Sequence, residues 1–111
     1  MAICKKLEAQ VDLLALTCGR DGLYLHRRHH PTIHANVEIA KVISAVGSGD
    51  CLTAGIAFAL GNTLGNKLSH EELARWGVAS GAANCIRPEL GMLHLRDVQE
   101  LLGKVQINSS L

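Results

Sequence analysis

The segment Gly47-Ser48-Gly49-Asp50 joins an extended apolar run to a strongly apolar run that starts at Cys51. Two glycines at such a junction let the chain reverse sharply and enter a helix, which fixes a strand-turn-helix order for the middle of this 111-residue chain. The first N–H groups of a helix have no intrahelical acceptor, so the turn and the helix head together form a place for anionic oxygens. A carboxylate beside that place, Asp50, adds nothing favourable to anion binding by its charge. It suits proton acceptance from a hydroxyl that attacks a phosphoryl group, the chemistry of a kinase site.

The segments around this junction follow an alternating α/β pattern. Residues 2–9 read as the end of a helix, and Val11 to Leu16 as a short apolar strand of the kind covered on both faces. Thr17-Cys18-Gly19-Arg20-Asp21-Gly22 has turn chemistry, and Leu23 to His26 resumes as a strand, which predicts a hairpin. A basic loop runs from Arg27 to Pro31. Ile33, Ala35, Val37 and Ile39 alternate with polar residues, and Val42-Ile43 extends that strand toward the glycine turn.

From Asp50 to about Leu60 the run is apolar on nearly every side, which predicts a central helix packed around its whole circumference and ended by Gly61, Asn62 and Gly65. Ser69 and Glu72 have capping-box spacing, opening a helix to about Ile86 with Leu73, Trp76 and Ala83 on its buried face. Asp97 is placed to cap a last helix in which Val98, Leu101, Leu102 and Val105 recur at helical spacing. Val78-Ala79-Ser80-Gly81-Ala82-Ala83-Asn84 forms a small-residue helix face, against which a flat ring could lie.

Composition excludes several classes of function. Eleven basic against ten acidic residues give a net charge of +1, so no global field points to nucleic acid or an anionic membrane. Aromatic residues are 3% of the chain, too few for a base-stacking platform. No apolar run is long enough to span a membrane and the first residues lack a signal-peptide core, so a cytoplasmic protein is expected. Cys4, Cys18, Cys51 and Cys85 are far apart, without zinc-ribbon or redox spacing, and read as reduced. The histidines from His26 to His30 belong to a solvated loop, so no metal site is assigned. A Walker-type phosphate loop is absent from the sequence.

Three segments in order, Thr17 to Gly22, Ser44 to Asp50 and Arg75 to Asn84, resemble the PfkB-type, ribokinase-like carbohydrate kinases, and the resemblance runs from about Val11 to Ile107. It implies the C-terminal part of a three-layer α/β/α fold, without the N-terminal sheet strands and lid. It also implies ATP with Mg²⁺, and sugar or sugar-phosphate phosphorylation of the phosphofructokinase or tagatose-6-phosphate kinase type. Carried onto this chain, Asp50 is the catalytic base and Gly47, Ser48 and Gly49 the anion hole. Thr17, Gly19 and Gly22 approach the nucleotide phosphates, while Val78 and Ala82 line the adenine pocket.

Two features depart from that family. Ser44-Ala45 stand where its signature often has Asp-Thr, whose Asp helps hold a monovalent cation. Its Asn-x-x-Glu element, which lies near Mg²⁺, has no match in this sequence. The alternative is therefore a catalytically inactive remnant, or half of a split kinase, that binds nucleotide or mediates association. A homodimer or a complex with an N-terminal half is expected, because the Val11 to Leu16 strand would otherwise expose an apolar edge.

Overall fold

The computed structural model describes residues 6–7, 10–62, 69–88 and 93–109. The readings at residues 2–5, 8–9, Cys4 and Gly65 lie outside these.

Strand β1 (Leu13–Thr17) turns back into β2 (Leu23–Arg27), with Leu13 opposite Arg27 and Thr17 opposite Leu23. The link is a 3₁₀ turn over Gly19–Asp21, closed by the Cys18 N–H donating to Gly22 O at 2.8 Å. Gly22 has φ +92°, and a Cβ there would collide with the carbonyl oxygen of Ala35 on the neighbouring strand, so the hairpin itself requires glycine at this position. Strand β3 (Ile33–Asn36) pairs antiparallel with β2, and β4 (Gln106–Asn108) pairs antiparallel with β3, in the order β1-β2-β3-β4.

Alternation along the strands puts Leu23, Leu25, Ile33 and Ala35, all fully buried, on one face, with Tyr24 and His34 on the other. Helix α2 (His70–Cys85) covers the buried face; α1 (Ser48–Asn62) and α3 (Leu95–Leu102) pack against α2. Ser69 caps α2 as its spacing predicts, accepting from the Glu72 N–H at 3.1 Å.

The tertiary structure changes four of the local expectations. β1 is half-buried at the sheet edge and antiparallel to its one neighbour, rather than covered on both faces, because no second helical layer lies over it among the described residues. The central helix is α2, not α1. The outer side of α1 is exposed at Thr53, Ala54, Ala57, Phe58 and Leu60, because α1 packs on α2 alone.

β3 stops at Asn36, and Val42 and Ile43 are exposed, outside any strand. The Ile43 and Ser44 N–H groups instead donate to Cys85 O, at 2.7 and 3.3 Å, satisfying a carbonyl that the end of α2 leaves open. Finally, His94, not Asp97, is the N-cap of α3. The Asp97 carboxylate turns inward to accept two hydrogen bonds from the Arg87 guanidinium, at 2.7 and 3.1 Å, and so fastens α3 to the end of α2.

Candidate functional site

Glycine at 47 is a backbone requirement, since its φ is +85°. Around it the turn is closed by its own polar groups. The Ser48 N–H and hydroxyl both donate to Ala45 O, at 3.2 and 2.8 Å, and the Val46 N–H donates to Ser44 Oγ at 3.2 Å. Helix α1 starts with the Cys51 N–H donating to Gly47 O at 3.0 Å. This leaves the N–H groups of Gly47, Gly49 and Asp50 with no acceptor among the described residues. Apart from its own helix backbone and chain neighbours, nothing lies within 4 Å of the place a Gly49 Cβ would take, so the space beside Gly49 is open.

Helix α2 fixes the turn from behind. The Asn84 side-chain amide donates to Val46 O at 2.9 Å, and Gly81 lets α2 come so near that a Cβ there would lie 3.1 Å from Ser48 O. Farther along, a Cβ on Gly55 would stand 2.6 Å from Ser80 Cβ and 2.6 Å from Trp76 O, and one on Gly77 would meet Ile56 Cγ1 at 2.9 Å. The small residues at 77, 80 and 81 thus bring α1 and α2 into close contact.

Asp50 is exposed at the head of α1 and lines a cavity of about 650 Å³. The other walls are Cys51, Ala54, Gly55, Phe58, Trp76, Ser80, Leu93, Leu95 and Val98. Apart from Asp50 and Ser80 these walls are apolar. Trp76, expected in the core, is half-buried here, its ring 5.2 Å from that of Phe58. Burial, then the Asp50 charge, then Cys85 push the Cys51 thiol above its ordinary pKa, so it is protonated and a poor nucleophile.

The remaining sequence candidates lie on other elements. Thr17 ends β1 and is exposed, and Gly19 sits in the 3₁₀ turn with φ +56° and open space around it. Val78 is 5% exposed and belongs to the core, while Ala82 is half-buried against it; neither lines the cavity beside Asp50. Among the described residues no group of three or more His, Cys, Asp or Glu side chains is placed to hold a metal ion. Sequence reasoning missed the part played by Asn84.

The profile of the pfkB family carbohydrate kinases matches residues 1–92. This chain belongs to that family. It is 33% identical over 103 residues to a 1-phosphofructokinase of Bacillus subtilis, an alignment that covers 93% of this chain and 32% of that protein. It is 27% identical over 101 residues to a 1-phosphofructokinase of Borreliella burgdorferi, covering 91% and 31%. The chain therefore spans about a third of the length of these relatives.

Among solved structures, Escherichia coli phosphofructokinase-2 in complex with potassium superposes with a TM-score of 0.81 at 20% identity, over 92% of this chain and 32% of that one. Arabidopsis thaliana ribokinase complexed with ribose and ATP gives 0.75 at 25% identity, over 91% and 32%. The fold is thus the ribokinase-like α/β type, present as a portion of it. Among the described residues no helix is long and apolar enough to cross a membrane.

Proposed function

We propose that this chain carries the catalytic base and anion hole of an ATP-dependent kinase acting on a sugar phosphate. The observation that carries the reading is that the Gly47, Gly49 and Asp50 N–H groups at the head of α1 have no acceptor among the described residues, with the Asp50 carboxylate on the same turn. In this reading the acceptor hydroxyl gives its proton to Asp50 as its oxygen bonds to the transferred phosphorus, and ADP leaves. The turn's N–H donors, held in place before reaction, meet the charge on the phosphoryl oxygens. Ser48 shapes the hole by bonding back to Ala45. Thr17, Gly19 and Gly22 form the nucleotide-phosphate loop, for which the open space at Gly19 leaves room, and the half-buried Ala82 forms the adenine side with the core residue Val78 packed behind it.

The curated relatives are named 1-phosphofructokinases, which makes a fructose or tagatose phosphate the acceptor class we favour. Mg²⁺, implied by the family, does not fit the described residues: among them Asp50 is the sole carboxylate lining the cavity, and no cluster of ligands surrounds it.

A second reading has its own observation. The cavity walls beside Asp50 offer a sugar almost no hydroxyl partners, and among the described residues nothing covers the outer side of α1 or the β1 edge. In that reading the chain binds nucleotide weakly and associates with a partner, either a second copy or a polypeptide supplying the N-terminal portion.

Titration calorimetry with ATP and a coupled assay over fructose 6-phosphate, fructose 1-phosphate and tagatose 6-phosphate separate the two. Gly49→Asp abolishes ATP binding if the phosphates sit at the turn; an unchanged affinity refutes that placement. Turnover by the chain alone that is lost in Asp50→Asn establishes the first reading. ATP binding without turnover favours the second, because a base without a positioned hydroxyl lacks the proximity contribution.

A further inference from the structure

We infer that Asn84 is the positioning residue of the anion hole, acting through a single peptide unit. The carbonyl of Val46 and the N–H of Gly47 belong to the same plane, and because the bond is trans they point in opposite directions. Asn84 donates to Val46 O at 2.9 Å, and by holding the carbonyl on the α2 side it turns the Gly47 N–H away from α2, toward the open mouth of the turn. The inference rests on the phosphate-binding reading of that turn.

Little else restrains this unit. The Val46 side chain is 62% exposed, and glycine at 47 accepts positive and negative φ alike, so a flip of the peptide meets little steric resistance. A flipped unit would put the Val46 carbonyl oxygen where an anion needs a donor. Asn84 is suited to prevent this because packing surrounds it: it is 1% exposed on a helix buried along most of its length, and its neighbour Cys85 accepts from Ile43, three residues before Val46. The buried amide brings one donor to a carbonyl 38 positions away in the sequence, while its own Oδ1 has no partner among the described residues. Burying an amide with an acceptor left open costs free energy, and a residue retained for packing alone would not need the amide.

Asn84→Leu keeps a helix former of similar bulk and removes the donor. In amide-resolved NMR of the free chain, the Gly47 signal should broaden or double while the β2 amides of Leu23 and Leu25 keep their positions. ATP affinity should fall about tenfold, the size of effect expected from losing one buried hydrogen bond. Asn84→Asp should bind ATP poorly at pH 8 relative to the parent at that pH, and recover toward the parent at pH 5. There the buried carboxyl, raised above its ordinary pKa by desolvation, is protonated and can donate to Val46 O. Asn84→Leu should show no such recovery, which separates donation from packing.

A parent-like Gly47 signal with parent-like ATP affinity in Asn84→Leu overturns the inference, as does an Asn84→Asp deficit that is the same at both pH values. If Asn84→Leu fails to fold, the pH dependence of Asn84→Asp decides. If the parent binds no ATP, the phosphate reading fails, and the Gly47 signal in the variants still decides whether Asn84 orients the peptide.

Discussion

Gly55→Ala puts the packing of α1 against α2 to a direct test. On helix propensity alone the substitution should stabilise α1 by about 1 kcal/mol. The new methyl would stand 2.6 Å from Ser80 Cβ and 2.6 Å from Trp76 O, with Ser80 Oγ nearer still. Rotation of the Ser80 hydroxyl relieves the last contact but not the first two, since one is a Cβ and the other is backbone. The helices must therefore separate by roughly 1 Å, and overpacking of this kind typically costs about 1–3 kcal/mol.

Two contacts that no side-chain rotation relieves place the cost in the upper part of that range, about 2–3 kcal/mol, so after the propensity gain a net loss of about 1–2 kcal/mol remains, a fall in Tm of roughly 4–8 °C for a domain of this size. Trp76, the chain's single tryptophan, lies at the contact and reports unfolding by fluorescence in urea. Gly61→Ala in the same helix, with nothing within 4 Å of its Cβ, is the control and should be neutral or slightly stabilising. Adding Ser80→Gly to Gly55→Ala should recover part of the loss, a favourable coupling in a double-mutant cycle. Parent-like or higher stability of Gly55→Ala would refute the packing argument.

Three further outcomes are expected. Asp97→Ala should cost about 1.5–3 kcal/mol by urea unfolding at pH 7, the value of charge-assisted hydrogen bonds whose Arg87 partner can rehydrate when freed. Because Arg87 holds the Asp97 carboxyl below its ordinary pKa of 3.8, the parent keeps this contribution above that value and loses it as pH falls through the folded-state pKa, where parent and variant should converge. His70 is buried at the head of α2, its Nε2 bonded to Pro31 O, and burial holds its pKa below 6.5. The unfolded chain then binds the extra proton as pH drops below 6.5, so parent Tm should fall between pH 7 and pH 5 more steeply than that of His70→Gln; equal slopes would refute the assignment. Light scattering of the purified chain should show self-association through the β1 edge, unpaired among the described residues, and the exposed Phe58 side of α1, and Phe58→Glu should weaken it; a clean monomer at tens of micromolar, on the order of common assay conditions, would refute this.

Elements specified by neighbouring residues were legible before any coordinates. Ser69 and Glu72 form a cap three residues apart, the Thr17 to Gly22 turn folds two adjacent strands together, and the glycines at 47 and 49 announce the head of α1, because each is decided by local backbone geometry. The family resemblance was legible for the same reason, being carried by those short segments in order.

Tertiary structure alone decided what depends on partners distant in sequence. An aspartate three residues into a helix reads locally as a cap, yet a guanidinium ten residues earlier offers Asp97 two charged hydrogen bonds and draws it inward. The apolar circumference of α1 predicted full burial, but burial requires layers on every side, and among the described residues only α2 supplies one. Strand β4 is three residues long and exists because β3 offers it an edge. Asn84 meets Val46 only because α1 and α2 pack closely through Gly55, Gly77 and Gly81, so no window of the sequence could show that an amide at the end of α2 holds the glycine turn.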